Sequence, residues 1–313
     1  MRILITGITG AVGSELAPQL LARGHQLRGL TRDPQAAGHS GRVPQDVELV
    51  AGDATTGAGL DHACADCDVA YYLLHSMEHA AGASFADLEQ RSAENFARAA
   101  GPHGAGIRRI IYLGAMEPPA GEFSAHMASR LRVEQIVTQA ADQSVALRAS
   151  IVIGPKSRSF RLLVRLIERM PVLILPEWQR HRTAPVDQRD VTAALAAAAD
   201  TDLSGPAEVL DLAGPDIVSY GQLIQRICDL MLVYRPVVKL PDLSLTPIAS
   251  RISALIAQEQ HELVGPLMES LRTDLLPTNP DALARFGRRR HSLNAAIEHA
   301  LAAWEAAEPL RAR

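Results

Sequence analysis

Aromatic side chains are scarce in this 313-residue chain, at 4% of the residues, and neither sign of charge dominates. The net charge is -4, from 31 lysines and arginines against 35 aspartates and glutamates. A chain with few rings to stack on bases and no cationic excess lacks the usual means of binding single-stranded nucleic acid or an anionic membrane. We therefore expect neither a nucleic-acid partner nor a membrane partner.

Cysteine is also rare, and the complete set is Cys64, Cys67 and Cys228. Three thiols cannot all pair, and the single C-x-x-C has no second pair or neighbouring histidines to complete a metal site. No apolar run reaches the roughly 20 residues that span a bilayer, because charged residues interrupt even the stretch 162–175. The N-terminal residues 2–6 fit a strand better than a secretion signal. These absences predict a cytoplasmic protein with no metal.

Short apolar runs alternate with helical patterns through the first half of the chain. The predicted strands are 2–6, 26–31, 46–51, 68–74, 109–114 and 145–150, and the predicted helices are 11–23, 85–100 and 125–141. Strands that are apolar throughout, alternating with helices, are typical of a parallel sheet covered on both faces. The predicted fold class is therefore α/β, a Rossmann doubly wound parallel sheet.

Prolines punctuate the chain after residue 151, and the predicted strand content falls. Helices are predicted over 160–169, 191–199, 220–232 and 294–307, with a helical pattern from residue 244 onward and one strand over 208–212. This half has too few predicted strands for a sheet of its own. We interpret residues 151–313 as a smaller, mainly helical substrate-side region that adds strands to the first sheet and a helical cap over its ligand cleft.

A glycine-rich turn joins the first predicted strand to the first predicted helix. It has the pattern G-x-x-G-x-x-G and contains Gly7, Thr9, Gly10, Ala11, Val12 and Gly13. Gly7 permits a tight turn, Gly10 lets the backbone approach a pyrophosphate, and Gly13 lets helix and strand pack closely. The helix N-terminus adds N–H groups and a partial positive charge. Residues 1–150 are therefore predicted to form a domain that binds a nicotinamide dinucleotide.

The end of the second strand indicates which dinucleotide to expect. Arg32 follows the strand and can give a 2′-phosphate a forked, charge-assisted contact, which favours NADP(H). Asp33 competes with it, because an acidic residue there would bind the ribose hydroxyls of NAD(H), although Asp33-Pro34 fits a helix N-cap better. NAD(H) therefore stays open. Asp53, after the third strand, is placed to meet the adenine edge, and a solvated turn aspartate is the alternative.

Several further segments accompany this turn. They are Tyr71-Tyr72-Leu73-Leu74-His75-Ser76-Met77, Ile110-Ile111-Tyr112-Leu113-Gly114, Ile153-Gly154-Pro155 and Leu212-Ala213-Gly214-Pro215-Asp216. With them, nearly the whole chain resembles the atypical, NmrA-like branch of the short-chain dehydrogenase/reductase superfamily. The resemblance implies that Leu74 and His75 lie beside the cofactor and that Pro155 passes near the nicotinamide. It also implies that the C-terminal half forms the substrate pocket.

The family's catalytic set is a tyrosine, a lysine four residues later and a serine or threonine after the fifth strand. In this sequence His126 stands at the tyrosine position, Arg130 at the lysine position, and Gly114 or Ala115 at the serine position. His126 and Arg130 share a helix face, and a histidine can protonate a carbonyl near neutral pH. Arginine stays charged and would instead bind the cofactor ribose or a substrate carboxylate. A helix retained for structure alone is an equal alternative.

Two functions remain open from the sequence. One is an NADPH-dependent reductase of a small, largely apolar carbonyl, enone or quinone, whose partner is that small molecule. The other is a non-catalytic NADP(H) redox sensor or regulatory binding protein, which the altered catalytic set favours. An epimerase or dehydratase that uses NAD transiently fits the superfamily but requires the missing tyrosine. The sequence does not define the oligomeric state, and a homodimer is one option.

Overall fold

The computed structural model describes residues 1–74, 85–118, 125–239, 271, 273–279, 282–286 and 290–308. The strands are β1 (Arg2–Thr6), β2 (Gln26–Thr31), β3 (Glu48–Ala51), β4 (Val69–Tyr72), β5 (Arg109–Ala115), β6 (Gln143–Ala149), β7 (Val152–Ile153), β8 (Leu173–Leu175), β9 (Arg182–Thr183), β10 (Val186–Asp187), β11 (Ala207–Leu212), β12 (Val218–Ser219) and β13 (Val237–Lys239). The α-helices are α1 (Gly13–Ala22), α2 (Pro34–His39), α3 (Leu60–Cys64), α4 (Phe85–Ala100), α5 (Ala125–Thr138), α6 (Arg158–Arg169), α7 (Gln188–Ala198), α8 (Tyr220–Leu230) and α9 (Leu293–Ala307). Two 3-10 helices cover Glu177–Arg180 and Ala282–Phe286.

Seven strands form the main sheet, in the order β11-β6-β5-β4-β1-β2-β3. Strands β1 to β5 pair in parallel, with β1 hydrogen-bonded to both β2 and β4. The strand order therefore reverses at β1, and such a reversal places a ligand site beyond the carboxyl ends of the neighbouring strands. The predicted doubly wound α/β fold is confirmed.

The contacts of the chain divide it into two compact units. The first unit comprises Met1–Ala115, Ala128–Arg148 and Thr192–Leu210, and the second comprises Met116–Met127, Ala149–Val191 and Asp211–Arg313. The division is interleaved, because the chain returns to the first unit after residue 191 and adds strand β11 to the edge of its sheet. The expectation that the second half adds a strand to the first sheet is confirmed at β11.

The core of the first unit consists of apolar side chains that cover the sheet. Tyr72 lies near its centre, where its ring centroid is 5.0 Å from that of Phe96 and 6.2 Å from that of Tyr112. Cys64 and Cys67 belong to the same buried cluster and form no disulfide. Burial raises the pKa of the Cys64 thiol to about 12, and it also raises the pKa of Cys67. Protonated, buried thiols are poor metal ligands and poor nucleophiles.

The second unit has its own core, which packs α6, α8 and α9 together. Trp304 of α9 is buried there, and the guanidinium groups of Arg161 and Arg165 lie 4.5 and 4.8 Å from its ring centroid. Three two-stranded sheets complete this unit, pairing β7 with β10, β8 with β13 and β9 with β12. The expectation that this half lacks a sheet of its own was wrong, because strands of two or three residues are too short to show alternation.

The predicted elements agree with the structure except at their ends. Strand β2 and helix α4 have the predicted bounds, whereas α1 begins at Gly13 instead of residue 11 because the glycine turn occupies the preceding residues. The short helices α2 and α3 were not predicted. Most of the helical pattern expected from residue 244 onward lies outside the described residues, and α9 confirms its last part. None of the described helices is long and apolar enough to cross a membrane.

A buried arginine ties β5 to the end of α7 within the first unit. The Nη1 atom of Arg109 donates to the carbonyl oxygens of Ala198, Ala199 and Thr201, each at 2.9 Å. These carbonyls end a helix and have no intrahelical donor. The residue is only 3% exposed, and its burial lowers the pKa of the guanidinium. The contact therefore holds the returning segment of chain against the sheet.

We predict that Arg109→Met lowers the free energy of unfolding by about 2–4 kcal/mol, because it leaves three buried carbonyls without a donor. Urea unfolding followed by circular dichroism measures the change. Arg108→Met is the matched control, because Arg108 is the exposed neighbour and its pairing with Gln143 lies in solvent. That control should change stability by less than about 0.5 kcal/mol. Equal effects of the two variants would show that the carbonyl contacts of Arg109 contribute nothing.

Candidate dinucleotide site

The glycine turn after β1 is closed by contacts that a larger residue would prevent. Gly7 has a φ of +71°, and a Cβ atom on it would lie 2.8 Å from the carbonyl oxygen of Leu73. A Cβ atom on Gly13 would lie 2.4 Å from the carbonyl oxygen of Gly7. Both distances are shorter than real Cβ contacts, and both partners are backbone atoms that cannot rotate away. The two predicted roles of these glycines, a tight turn and close helix–strand packing, therefore agree with the geometry.

The N-terminus of α1 opens directly from this turn. Val12 occupies the N-cap position, and its side chain makes no capping hydrogen bond. Gly10 is exposed, and Thr9, Ala11 and Val12 are partly exposed. A helix N-terminus without a side-chain cap presents N–H donors and a partial positive charge, which is the arrangement that binds pyrophosphate. The residues present fit a dinucleotide.

Thr6 stabilises the turn and was not identified from the sequence. Its hydroxyl donates to the carbonyl oxygen of Tyr71 at 3.0 Å and accepts from the N–H of Leu73 at 3.2 Å. The residue is fully buried. These two bonds hold the ends of β1 and β4 together beneath the glycine turn. The available signal was a threonine at the end of β1, directly after three apolar residues.

Asp33 and Arg32, the two residues that compete for the adenosine ribose, have different environments in the structure. Asp33 is the N-cap of α2, and its carboxylate accepts a hydrogen bond of 2.9 Å from the N–H of Ala36. The predicted cap is therefore confirmed, with Pro34 in the first turn. Arg32 is exposed beside the carboxyl end of β2. A guanidinium thus lies at the strand end, while the neighbouring carboxylate already accepts from the backbone.

The other predicted cofactor residues lie in different places. Asp53 follows β3, and its carboxylate accepts from the N–H of Thr55 at 2.8 Å, so it closes its own turn. Leu74 follows β4 and packs against the core of the first unit. His75 lies outside the described residues. Pro155 belongs to the second unit, in the turn between β7 and α6. Contacts of these residues with a cofactor stay predictions.

The residue at the family's lysine position is committed to an ion pair. Arg130 is 5% exposed, and its Nη2 atom lies 3.0 Å from Oε1 of Glu89 on α4. The hydroxyl of Ser129 donates to the same carboxylate at 2.8 Å. Burial raises the pKa of Glu89, while Arg130 and Ser129 act in the opposite direction. The arrangement links α4 to α5 through buried charges. The side chain of His126, which stands at the tyrosine position, is not among the side chains that the structure describes.

The remaining hydroxyl groups near the predicted catalytic set do not replace the missing tyrosine. Tyr72 and Tyr112 are buried, and burial raises the pKa of both phenols, that of Tyr112 to about 12. At Gly114, one of the two predicted serine positions, a Cβ atom would lie 2.5 Å from the ring of Tyr112. A serine side chain there would therefore collide with a buried aromatic ring. The catalytic set of the family cannot be restored at this position without moving that ring.

Fold and turn together define a Rossmann-type protein with a site for a nicotinamide dinucleotide. Residues 7–151 match the model of a family described as NAD(P)H-binding. This segment contains the whole glycine turn and strands β2 to β6. Residues 7–151 therefore form an NAD(P)H-binding domain, which is what the resemblance to the short-chain dehydrogenases/reductases implied for this part of the chain.

Two curated proteins are similar to the chain. One is NADH dehydrogenase [ubiquinone] 1 alpha subcomplex subunit 9, mitochondrial, from Arabidopsis thaliana, 26% identical over 254 residues that cover 80% of this chain and 62% of the plant protein. The other is 2-alkyl-3-oxoalkanoate reductase from Stenotrophomonas maltophilia (strain K279a), 31% identical over 194 residues that cover 54% of this chain and 56% of that protein. The chain thus spans less than two thirds of the length of either relative.

A solved structure extends the fold similarity to nearly the whole chain. It is UDP-glucose 4-epimerase of Thermus thermophilus in complex with NAD, with a TM-score of 0.68 and 16% identity, covering 97% of this chain and 100% of the epimerase. At this identity the similarity concerns the fold. The nicotinamide cofactor is supported by the match of residues 7–151 to the NAD(P)H-binding family.

We predict that Gly13→Ala weakens NADP+ binding at least roughly tenfold, because the added methyl group forces the turn away from α1. Isothermal titration calorimetry measures the affinity, and circular dichroism reports folding. Gly205→Ala is the control, because a Cβ atom there meets nothing within 4 Å. Gly10→Ala provides a second variant, since its nearest contact of 3.1 Å is easier to relieve. Unchanged affinity in both turn variants would exclude this turn as the binding site.

We predict that Glu89→Leu or Arg130→Met alone lowers stability by about 3–5 kcal/mol, because each leaves one buried charge unpaired. The double variant should recover much of this loss and retain NADP+ binding, as expected if the pair is structural. Urea unfolding and calorimetry provide the two measurements. Arg132→Met is the matched control, because Arg132 joins the same two helices through an exposed contact with Gln90. Loss of NADP+ binding in a stable double variant would instead place Arg130 at the cofactor.

Proposed function

We propose that the protein is an NADPH-dependent reductase of a small, largely apolar carbonyl, enone or quinone. The proposal is supported by the glycine turn with its uncapped helix N-terminus. It is also supported by the similarity of part of the chain to a 2-alkyl-3-oxoalkanoate reductase, whose name describes a reaction at a carbonyl group. The small-molecule substrate is the partner that we propose. We further propose that the protein is cytoplasmic, in keeping with its three free cysteines.

The preference for NADP(H) over NAD(H) depends mainly on one observation, the capping bond of Asp33. Its carboxylate accepts from the N–H of Ala36, so its position is fixed by α2 rather than by a ribose. Arg32 lies next to it and is exposed. A guanidinium binds a phosphate through forked, charge-assisted hydrogen bonds, whereas it gains little from ribose hydroxyls. The strand end therefore favours the cofactor with the 2′-phosphate.

A bound NADPH supplies the hydride, and the chain must supply position and a proton. The turn from Gly7 to Gly13 would hold the pyrophosphate and so orient the cofactor. Arg130 is unsuited to donate the proton, because a guanidinium stays charged and this one is paired with Glu89. His126 and solvent are the remaining sources, as the sequence indicated. A reduction without the usual tyrosine then relies mainly on orientation.

A non-catalytic NADP(H) sensor or regulatory binding protein is the second candidate. It is favoured by the surroundings of Gly114 and Arg130, two positions of the altered catalytic set. The ring of Tyr112 occupies the space that a side chain at Gly114 would need, and Arg130 is buried in an ion pair. Binding of the cofactor would then be the function, and different affinities for NADP+ and NADPH would carry the signal.

We predict that the purified protein oxidises NADPH faster than NADH with at least one of ethyl 2-methylacetoacetate, cyclohexenone and benzoquinone. Absorbance at the nicotinamide band, with the uncatalysed rate subtracted, measures turnover. Arg32→Ala should weaken NADPH binding roughly 10- to 100-fold and leave NADH binding unchanged, since one charge-assisted contact is lost.

Arg42→Ala is the control, because Arg42 is another exposed arginine that follows α2. It should leave both affinities unchanged. Tight NADP(H) binding without turnover on any compound would reject the reductase and favour the sensor. Equal loss of NADPH and NADH affinity in Arg32→Ala would contradict the proposed cofactor preference.

A further inference from the structure

Three polar side chains of the second unit come together beside its core. They lie on adjacent elements: Trp178 on the 3-10 helix Glu177–Arg180, Thr183 on β9 and Tyr220 at the start of α8. The ring centroids of Trp178 and Tyr220 are 6.3 Å apart, with the planes at 78°. The hydroxyl of Thr183 is close enough to the phenol of Tyr220 to lower its pKa, although burial raises that pKa overall to about 12.

The backbone fixes these residues relative to one another. The N–H of Tyr220 donates to the carbonyl oxygen of His181 at 3.0 Å. Strand β9 pairs with β12, which places Thr183 opposite Val218. The side chains therefore extend from a short, cross-linked part of the chain instead of from separate loops. Groups held in this way are suited to meet a ligand without rearrangement.

The polar atoms of these residues are buried and poorly satisfied. Within the described residues, Trp178 Nε1 has no hydrogen-bond partner, and Thr183 Oγ1 and Tyr220 Oη have none apart from their contact with each other. Thr183 is 0% exposed and Tyr220 is 2% exposed. Buried polar atoms in folded proteins are almost always hydrogen-bonded, because leaving one unsatisfied is costly. Three such atoms in one neighbourhood indicate that an additional group completes them.

The chemistry of the three atoms defines what that group is. The indole N–H of Trp178 can only donate, and both hydroxyls can donate as well. A phenol is protonated at neutral pH, and burial raises the pKa of this one further. The guanidinium of Arg182, which precedes Thr183 on β9, pairs with Asp274 at 2.8 and 2.9 Å. Neutral donors such as these favour an uncharged oxygen acceptor over a carboxylate or a phosphate.

The apolar residues next to Trp178 further define the ligand that could bind here. Trp178 packs against the apolar core of the second unit, which includes Phe160, Leu223 and Ile224. These neighbours favour a ligand whose oxygen is attached to an apolar body. We propose that Trp178, Thr183 and Tyr220 form a binding site for the carbonyl oxygen of a small, uncharged ketone or ester. This site belongs to the second unit and does not depend on whether the proposed reduction takes place.

The two tryptophans of the chain provide the test. Trp304 is an internal reference, because its Nε1 atom donates to Glu308 at 3.2 Å. In a ¹H–¹⁵N spectrum of the full chain labelled at the indole nitrogens, Trp178→Phe assigns the two signals. Cyclohexanone is then titrated in the absence of cofactor, against methylenecyclohexane, which has nearly the same shape and no oxygen. We expect a saturable shift of the Trp178 signal with the ketone alone, while the Trp304 signal stays in place.

Two variants connect the shift to the proposed donors. Thr183→Val and Tyr220→Phe should each raise the dissociation constant of cyclohexanone about 5- to 10-fold. Tyr234→Phe is the matched control, because Tyr234 belongs to the same unit and is 84% exposed. It should leave the affinity unchanged.

Three results would overturn the site. They are a Trp178 signal that does not move with the ketone, an equal response to methylenecyclohexane, and an affinity that neither Thr183→Val nor Tyr220→Phe changes. Transfer of magnetisation from water to a Trp178 N–H that does not respond to the ketone would identify an ordered water only. Because the titration contains no cofactor, its failure leaves the proposed reductase untouched, and failure of NADPH binding leaves this site untouched.

Discussion

The close approach of Gly7 and Gly13 is the constraint on which the dinucleotide site depends. The carbonyl oxygen of Gly7 occupies the space where a side chain on Gly13 would begin, so strand β1 and helix α1 meet through bare backbone. Because of this contact, α1 begins close to the end of β1, and a helix N-terminus at this place in the fold is suited to bind a pyrophosphate. The hydroxyl of Thr6 supports the same junction from below by joining β1 to β4. Every functional proposal for the cofactor requires that geometry.

Much of the first unit could be predicted from the sequence because its signals are local. Strand β2 and helix α4 are bounded as expected, and the Asp33 cap follows from a carboxylate that precedes Pro34. The short strands β7 to β10, β12 and β13 could not be predicted, because a ladder of two or three residues is defined by its partner and not by its own periodicity. The sequence predicted that the second half adds a strand to the first sheet, but it did not show that most of α7 also belongs to the first unit.

The candidate catalytic residues show where sequence comparison by position reaches its limit. Counting along α5 places Arg130 at the family's lysine position, but counting cannot reveal that Glu89 on α4 pairs with it. A charge at a catalytic position and a charge buried in an ion pair have the same sequence signature. The same holds for Gly114, since the ring that fills the space beside it belongs to a residue two positions earlier on β5. The cofactor half of the site could therefore be inferred from local pattern, whereas the catalytic half required tertiary contacts.

The return of the chain through Thr192–Leu210 has a consequence for biosynthesis. The first unit cannot be completed until this segment has left the ribosome, since β11 forms one edge of the main sheet and Arg109 requires the carbonyls at the end of α7. A nascent chain that ends near residue 150 would present β6 as an open edge, and its Arg109 would lack the three carbonyl acceptors at the end of α7. Open edges favour association with other chains. The segment of the second unit that precedes Thr192 is therefore translated while the first unit is still incomplete. The two units cannot fold strictly one after the other during synthesis.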